Sequence, residues 1–267
     1  MAVSKDSMGG GLISYEIPGC RTVLIDNRIG SEPADTAILT LAKRGTEEGY
    51  TVISDFLSTD QPDDRHPVIP RLHVAILLRP GKHAERAGII GAMGAIAASH
   101  AIERNSDYKT QLRWLGGIYA ERHRVGEVYS NCMILPTGYL DYMILNVMLE
   151  LPPEHFPTRM NDIVTRVFTS RRIGVEDHVA QTLVHDFFLL YDNMRMKDDV
   201  TALPFWEEYR RRSFLLGKRV RVLAGGKKRT GIAMAVENDG RLSVAFKDGT
   251  KLLLSSQNHL LSFKIPR

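Results

Sequence analysis

The chain has 267 residues and 43% hydrophobic content, enough for one good core plus a satellite domain. Its longest apolar stretch, 88–98, is about half of what a membrane span requires, and the opening MAVSKDSMGGGL has no apolar core to serve as a signal peptide; a cytoplasmic protein with a loose start is expected. The net charge of +4 is mild, and Cys20 and Cys132 form neither a CxxC nor a metal-ligand spacing, which fits free thiols in a reducing compartment.

In chain order, the first expected element is a strand over 22–26. Ser31 can cap a helix that carries Pro33 in its first turn, where a missing N–H does no harm. Ala34, Ala37, Ile38, Leu41 and Ala42 then fall on one helical face, and Gly45 closes it. A strand over 50–57 leads into a polar, proline-bearing loop over 58–70, and a strand over 72–78 is stopped by Arg79-Pro80-Gly81. The helix expected over 83–103 is rich in Gly and Ala, which lets it approach a sheet closely and marks it as the central buried helix. Strand signals return over 111–114, 118–121, 125–135 and 139–151, with Gly116-Gly117 and Pro136-Thr137-Gly138 as turns. After Pro152-Pro153 the pattern is helical again, over 175–196 and 204–212.

The last fifty or so residues change period. Val220 and Val222, then Ile232, Met234 and Val236, then Leu242, Val244 and Phe246, then Leu252 and Leu254 each alternate with their neighbours. Gly225-Gly226, Asn238-Asp239-Gly240 and Lys247-Asp248-Gly249 supply the positive φ that tight hairpins need. Four short strands predict a meander curled into a small SH3-like barrel that leans on the domain before it. The chain therefore reads as α+β: a flexible N-terminus over 1–19, helices packed on a mixed, largely antiparallel sheet over 20–213, and the barrel over 214–267.

Nine Lys and Arg residues and no acid fall between 210 and 229. A basic stretch can meet nucleic acid or an acidic protein surface, although a solvated helix end and hairpin faces are the commoner outcome. Phe214 is the one aromatic inside it, too few for a stacking ladder, which argues against nucleic acid. His178 and His185 could share a helix face, but no third and fourth ligand accompany them and no metal site is expected.

The segments RIGSEPADTAILTLAKRG, LHVAILLRP, LRWLGGIYAERHRVGE, YMILNVML and LGKRVRVLAGGKKRTGIAMAVENDGRLSVAFKDG come in an order that resembles the biotin protein ligases. These adenylate biotin and pass it to a lysine of a carrier domain. The resemblance covers about 20–262; the barrel favours the biotin over the lipoate relatives, and without a helix-turn-helix ahead of residue 20 the repressor branch is not expected. It implies a class II synthetase-like core, biotin and ATP with Mg as ligands, a biotin carboxyl carrier-type partner, no membrane, and compatibility with a homodimer.

Residue by residue, the motifs are worn. The Ser-Thr-Asn that helps bind the biotin ring falls on Ser31-Glu32-Pro33, which keeps only the serine. The phosphate loop Gly-Arg-Gly-Arg-Arg-Gly falls on Gln61 to His66, reading Gln-Pro-Asp-Asp-Arg-His; Ser58, Thr59 and Arg65 are the candidates left there. Glycines allow close backbone approach to phosphate and arginines neutralise it. Asp60, Asp63 and Asp64 instead repel it, each by on the order of several kcal/mol before screening. The Lys-Trp-Pro-Asn-Asp motif falls on Arg113-Trp114-Leu115-Gly116-Gly117, which keeps the charge and the indole. A lysine that contacts biotin and adenylate falls near His123, with Arg122 or Arg124 able to carry its charge; Gly126 matches the glycine beyond it and Asn146 a core asparagine. The resemblance thus assigns Arg113, His123 and Arg124 to catalysis. It assigns Ser31, Ser58, Thr59, Arg65, Trp114, Gly126 and Asn146 to ligand binding, with Ser31, Trp114, Gly126 and Asn146 at the ring end. With the phosphate loop degenerate, adenylation is expected to be impaired or lost; the alternative is a non-catalytic binding or assembly module on the same fold.

Overall fold

The computed structural model describes residues 12–17, 20–27, 34–57, 70–121, 123–150, 175–196, 203–255 and 260–263. Their order is β1 (Leu12–Glu16), β2 (Thr22–Asn27), α1 (Ala34–Lys43), β3 (Thr51–Leu57), β4 (Pro70–Leu78), α2 (Ala87–Arg104), β5 (Thr110–Arg113), β6 (Gly117–Ala120), β7 (His123–Ile134) and β8 (Leu140–Glu150). Then come α3 (Val175–Arg195), α4 (Phe205–Arg212), β9 (Arg219–Ala224), β10 (Lys227–Val236), β11 (Leu242–Ala245), β12 (Lys251–Leu254) and β13 (Leu260–Phe263).

The first eight strands make one sheet in the order β1-β2-β3-β4-β8-β7-β6-β5. Every pair is antiparallel except β2 beside β3. A parallel pair cannot close through a hairpin, so α1 crosses over between them.

The period of two gives this sheet two faces. Val74, Ile76 and Leu78 of β4 and Met143, Leu145 and Val147 of β8 point to one of them, and α2 lies there. Ile89, Ile90, Met93, Ile96 and Ile102 of α2 are fully buried, each worth about 1.5–3 kcal/mol of transfer from water. Gly94 explains the close seat: a methyl added there would sit 3.0 Å from Leu145 and 3.2 Å from Val128. On its other side α2 meets α3, whose Val179, Leu183 and Phe187 are also fully buried. The opposite face of the sheet is covered by the shorter α1, with Ala34, Ala37, Ile38 and Ala42 on Val52, Ala75, Leu77 and Ile144.

Charged groups rim the joint between α2, α3 and α4. His100 lies 3.0 Å from Asp186 and 2.9 Å from Glu208, Arg104 lies 2.9 Å from Asp186, and Arg212 joins Glu103 to Glu208. Burial works against the ionised carboxylates. Hydrogen bonds from His100, His185 and Arg104 outweigh it and hold Asp186 at about 2, while Arg212 and Thr110 do the same for Glu103, also at about 2. The bond to Asp186, with Glu208, raises the pKa of His100 above its ordinary value.

β9 to β13 form a separate antiparallel sheet, in the order β12-β11-β10-β9-β13. Its inner face, with Val220, Val222, Ala233 and Val244, is continuous with the core of the first domain. Among the described residues hydrogen bonds tie the two parts: the Trp114 indole to the Gly240 carbonyl at 2.8 Å, Arg210 to the Val236 carbonyl at 2.8 Å and to Asn238, and the Phe214 amide to the Leu112 carbonyl at 3.1 Å.

Three features differ from the sequence reading. β1 precedes the first expected strand; its five residues pair with β2, and Ile17 beyond it is buried, because Ile13, Tyr15 and Ile17 alternate with polar neighbours. A fifth strand, β13, joins the four expected at the C-terminus. The basic stretch 210–229 is no single patch: Arg210 and Arg212 are spent inside the molecule, and Arg229 stacks 3.7 Å over Phe246. Among the described residues no helix is long and apolar enough to cross a membrane.

Candidate functional site

On the α1 face, two cross-strand rows carry polar groups into an otherwise apolar layer. One runs Glu127–Met148–His73–Ser54 across β7, β8, β4 and β3. The next runs Tyr129–Asn146–Ala75–Val52–Asp26 and reaches β2. His73 and Asn146 are neighbours on the diagonal, and both are buried. His73 Nε2 lies 3.1 Å from Asn146 Oδ1, while Asn146 Nδ2 donates to the Ile144 carbonyl at 3.3 Å. With the amide oriented this way, Nε2 carries the imidazole proton and donates it. Burial keeps His73 neutral by pushing its pKa below 6.5, against the opposing pull of Asn146 and Asp35.

The first turn of α1 closes over these rows. The Ala34 amide donates to Ser54 Oγ at 3.1 Å, and the Asp35 carboxylate acts on the Tyr129 hydroxyl through its charge. Burial, aided by the Asp35 and Glu127 charges, pushes the Tyr129 hydroxyl up to about 12, so it stays protonated and a donor at neutral pH. Its ring stands 6.4 Å from that of His73. Asp35, Ser54, His73, Tyr129 and Asn146 thus form one polar set, drawn from one helix and four strands, beside the apolar Val52 and Ala75. Buried polar groups are stable only when mutually satisfied, and such a set fixes orientation and specificity for whatever meets it.

Two cations expected to serve catalysis lie further along the same face, and each is committed. Arg113, at the end of β5, donates to Glu127 at 3.1 Å and stands 5.8 Å over the Phe263 ring. Arg124 donates to the other Glu127 oxygen at 2.9 Å and approaches Glu150 at 3.9 Å. Glu127 therefore bridges the two guanidiniums, and the four groups sum to zero charge. His123 opens β7, where it pairs with Ala120 of β6.

The remaining expected ligands divide sharply. Ser31, Ser58, Thr59 and Arg65 lie outside the described residues. Asn146 belongs to the polar set. Gly126 has a packing reason: an added Cβ would fall 2.7 Å from Leu149 Cδ2 and 2.9 Å from the Met148 carbonyl. Trp114 goes elsewhere, fully buried among the α2-side core residues with its indole N–H on Gly240. The backbone reverses just after it, at Leu115 (φ 62) and Gly116 (φ 104), which leaves the indole as a clamp to the C-terminal sheet. The resemblance did not point to His73, Tyr129, Asp35, Ser54 or Glu127. A usable signal existed for His73, a lone polar residue in the apolar run LHVAILL, as for Asn146 in YMILNVML. Nothing local marks the other four. His185 pairs with Asp186 at 2.9 Å, and among the described residues no three His, Cys, Asp or Glu side chains converge to hold a metal ion.

No protein-family model and no curated protein sequence matches the chain. Solved structures do. The biotin protein ligase of Aquifex aeolicus gives a TM-score of 0.63 at 16% identity, over 85% of this chain and 93% of that one. The fold is that of the biotin protein ligases. The Aquifex aeolicus ligase in complex with biotin and ATP gives a TM-score of 0.62 at 15% identity, over 85% and 94% of the two chains. A biotin protein ligase-like protein of unknown function from Silicibacter sp. gives 0.63 at 17%, over 86% and 93%. This ligase-like fold unites the large mostly antiparallel sheet, its helices and the C-terminal β-domain in one chain.

Proposed function

We propose that this chain uses the biotin protein ligase fold to hold a biotin-type ligand, and that ATP-dependent formation of an acyl-adenylate is lost or very weak. The observation that carries the proposal is the bridging of Arg113 and Arg124 by Glu127. Acyl-adenylate chemistry depends on positioned, uncommitted positive charge around the phosphates. Here the two cations meant for it face Glu127 and Glu150, and the loop 58–66 adds three aspartates and a single arginine. These residues do not fit ATP with Mg.

They do fit the ring end of the ligand. A fused ring that carries both hydrogen-bond donors and acceptors can match His73, Asn146, Tyr129 and Asp35, with Val52 and Ala75 against its apolar edges. In this reading the Tyr129 hydroxyl donates, Asn146 Oδ1 and the Asp35 carboxylate accept through their remaining lone pairs, His73 holds Asn146 in place, and the first turn of α1 holds the ring. The relatives' full reaction would form biotinyl-AMP and pass biotin to a lysine of a carboxyl carrier-type domain. This chain retains at most the binding half, as a cytoplasmic ligand- or carrier-binding module, alone or as a homodimer. Its ligase-like domain spans 20–213 and its SH3-like domain 214–267.

Purified full-length protein tests the proposal in two assays. Calorimetry should give weak binding of biotin or lipoate, unchanged by ATP with magnesium. Pyrophosphate exchange into ATP should stay at background with either acid. Exchange at the rate of an ordinary ligase overturns the adenylation claim; no heat at millimolar ligand overturns the binding claim.

A further inference from the structure

The outward face of the C-terminal sheet exposes aliphatic side chains where a merely solvated surface would be polar. Ile232, Met234 and Leu253 are 47%, 53% and 42% exposed. Single exposed aliphatics need no explanation, but grouped ones mark contact surfaces. The strand register sets this group among cations: Arg219, Ile232, Ala245 and Lys251 stand in one row across β9, β10, β11 and β12. At about 4.8 Å per strand the terminal cations of this row are about 14 Å apart, with apolar side chains between them. In the next row Arg221 stands opposite Thr230. A hollow of about 500 Å³ opens here, lined by Arg219, Thr230, Ile232 and Lys247 among others.

Little negative charge balances this face; Glu85 of the first domain, in the hollow beside Leu253, acts with Glu237 on Arg241 at its edge. From residue 210 to 263 the chain has three acids, and two are already paired: Asp239 with Arg241, and Asp248 with Arg229. That leaves Arg219, Arg221, Lys247 and Lys251 without an ion pair among the described residues.

We propose that this face docks an acidic protein segment in which carboxylates alternate with aliphatic side chains. Such a segment laid across the strands would place its carboxylates on Arg219 and Lys251 and an aliphatic group on Ile232. The cations then steer the approach, and the apolar centre holds the bound partner. Nucleic acid suits the surface less. Bases need exposed aromatic rings, and Phe246 is covered by the Arg229 guanidinium at 3.7 Å. Phosphates would also have to lie over three aliphatic side chains. The inference goes beyond the ligase reading and stands without it.

Fluorescence anisotropy with the full chain provides the test, using three labelled probes of equal length: a peptide alternating Glu and Leu, an oligo-Glu peptide and oligo-dT. The alternating peptide should bind at least tenfold more tightly than either other probe, and rising salt should weaken it. Arg219→Glu combined with Lys251→Glu should cost it tenfold or more. Ile232→Ser should weaken the alternating peptide and leave oligo-Glu unchanged, a split that general misfolding cannot produce. Lys43→Glu on α1 serves as the charge control and should change nothing. Should the double reversal fail to fold, Arg219→Gln with Lys251→Gln replaces it, with a tenfold loss again expected. Tighter binding of oligo-dT, no binding of the alternating peptide, or indifference to the charge changes overturns the proposal.

Discussion

The two faces of the eight-stranded sheet are cut from the same strands and loaded in opposite ways. Towards α2, β4 and β8 present only aliphatic side chains, sealed by an 18-residue helix and backed by α3. Towards α1, the same two strands present His73 and Asn146 beneath a helix of 10 residues. One face maximises the area removed from water. The other gives up part of that gain to hold hydrogen-bonding groups in fixed directions, as recognition requires. Stability and specificity are thus separated by a single step of the pleat, and changes on the two faces should separate them too.

Ile96→Ala on α2 should have the largest effect on stability, about 2–5 kcal/mol in urea unfolding, with ligand binding retained by the folded fraction. A loss below 1 kcal/mol would mean that the α2 face is loosely packed and that the contrast fails. Acid should act next, through the charged rim of that face. Asp186 and Glu103, at about 2 when folded against ordinary values of 3.8 and 4.5, stabilise fully above about pH 5 and lose this as pH falls towards 2. Partial solvation screens the effect to about 1–2 kcal/mol for each group. His100 has the opposite sign. Its raised pKa stabilises fully below 6.5, and that contribution disappears as pH rises through the folded value. The melting temperature should therefore peak between about pH 5 and 6.5, and a flat profile down to pH 3 counts against the network.

On the α1 face, Asn146→Ala should cost about 1–3 kcal/mol by stranding His73, and should abolish any biotin-type binding. Retained binding in calorimetry would place the ligand elsewhere. The smallest change expected is Trp114→Phe, about 1 kcal/mol from the bond to Gly240, with binding untouched. A selective loss of binding, with melting unchanged, would return Trp114 to the site.

The sheet, its helices and the second β-domain were legible because each rests on a local rule: alternation for strands, small residues for a closely seated helix, glycine pairs for hairpins. β1 escaped because its short alternating run sits beside a glycine-rich, polar start. The site was legible only in fragments. Arg113 and Arg124 were visible as charges, and Glu127 lies three residues after Arg124, but it reaches Arg113 only through the register of β5, β6 and β7, which no spacing in the sequence encodes. Trp114 was visible as an aromatic. Its direction was not, because that depends on two positive φ angles after it.

The pairing of β4 with β8 has a kinetic consequence. Its partners, from Arg71 and Glu150 to Leu78 and Met143, lie roughly 65–80 residues apart, whereas β7 and β8 meet through a short turn. Loop-closure entropy makes this central seam a late event, after local hairpins and α2 have formed. His73 and Asn146 sit on either side of it. The polar set on the α1 face therefore does not exist in any species that has yet to close the seam, and a ligand held there would favour only the completed chain.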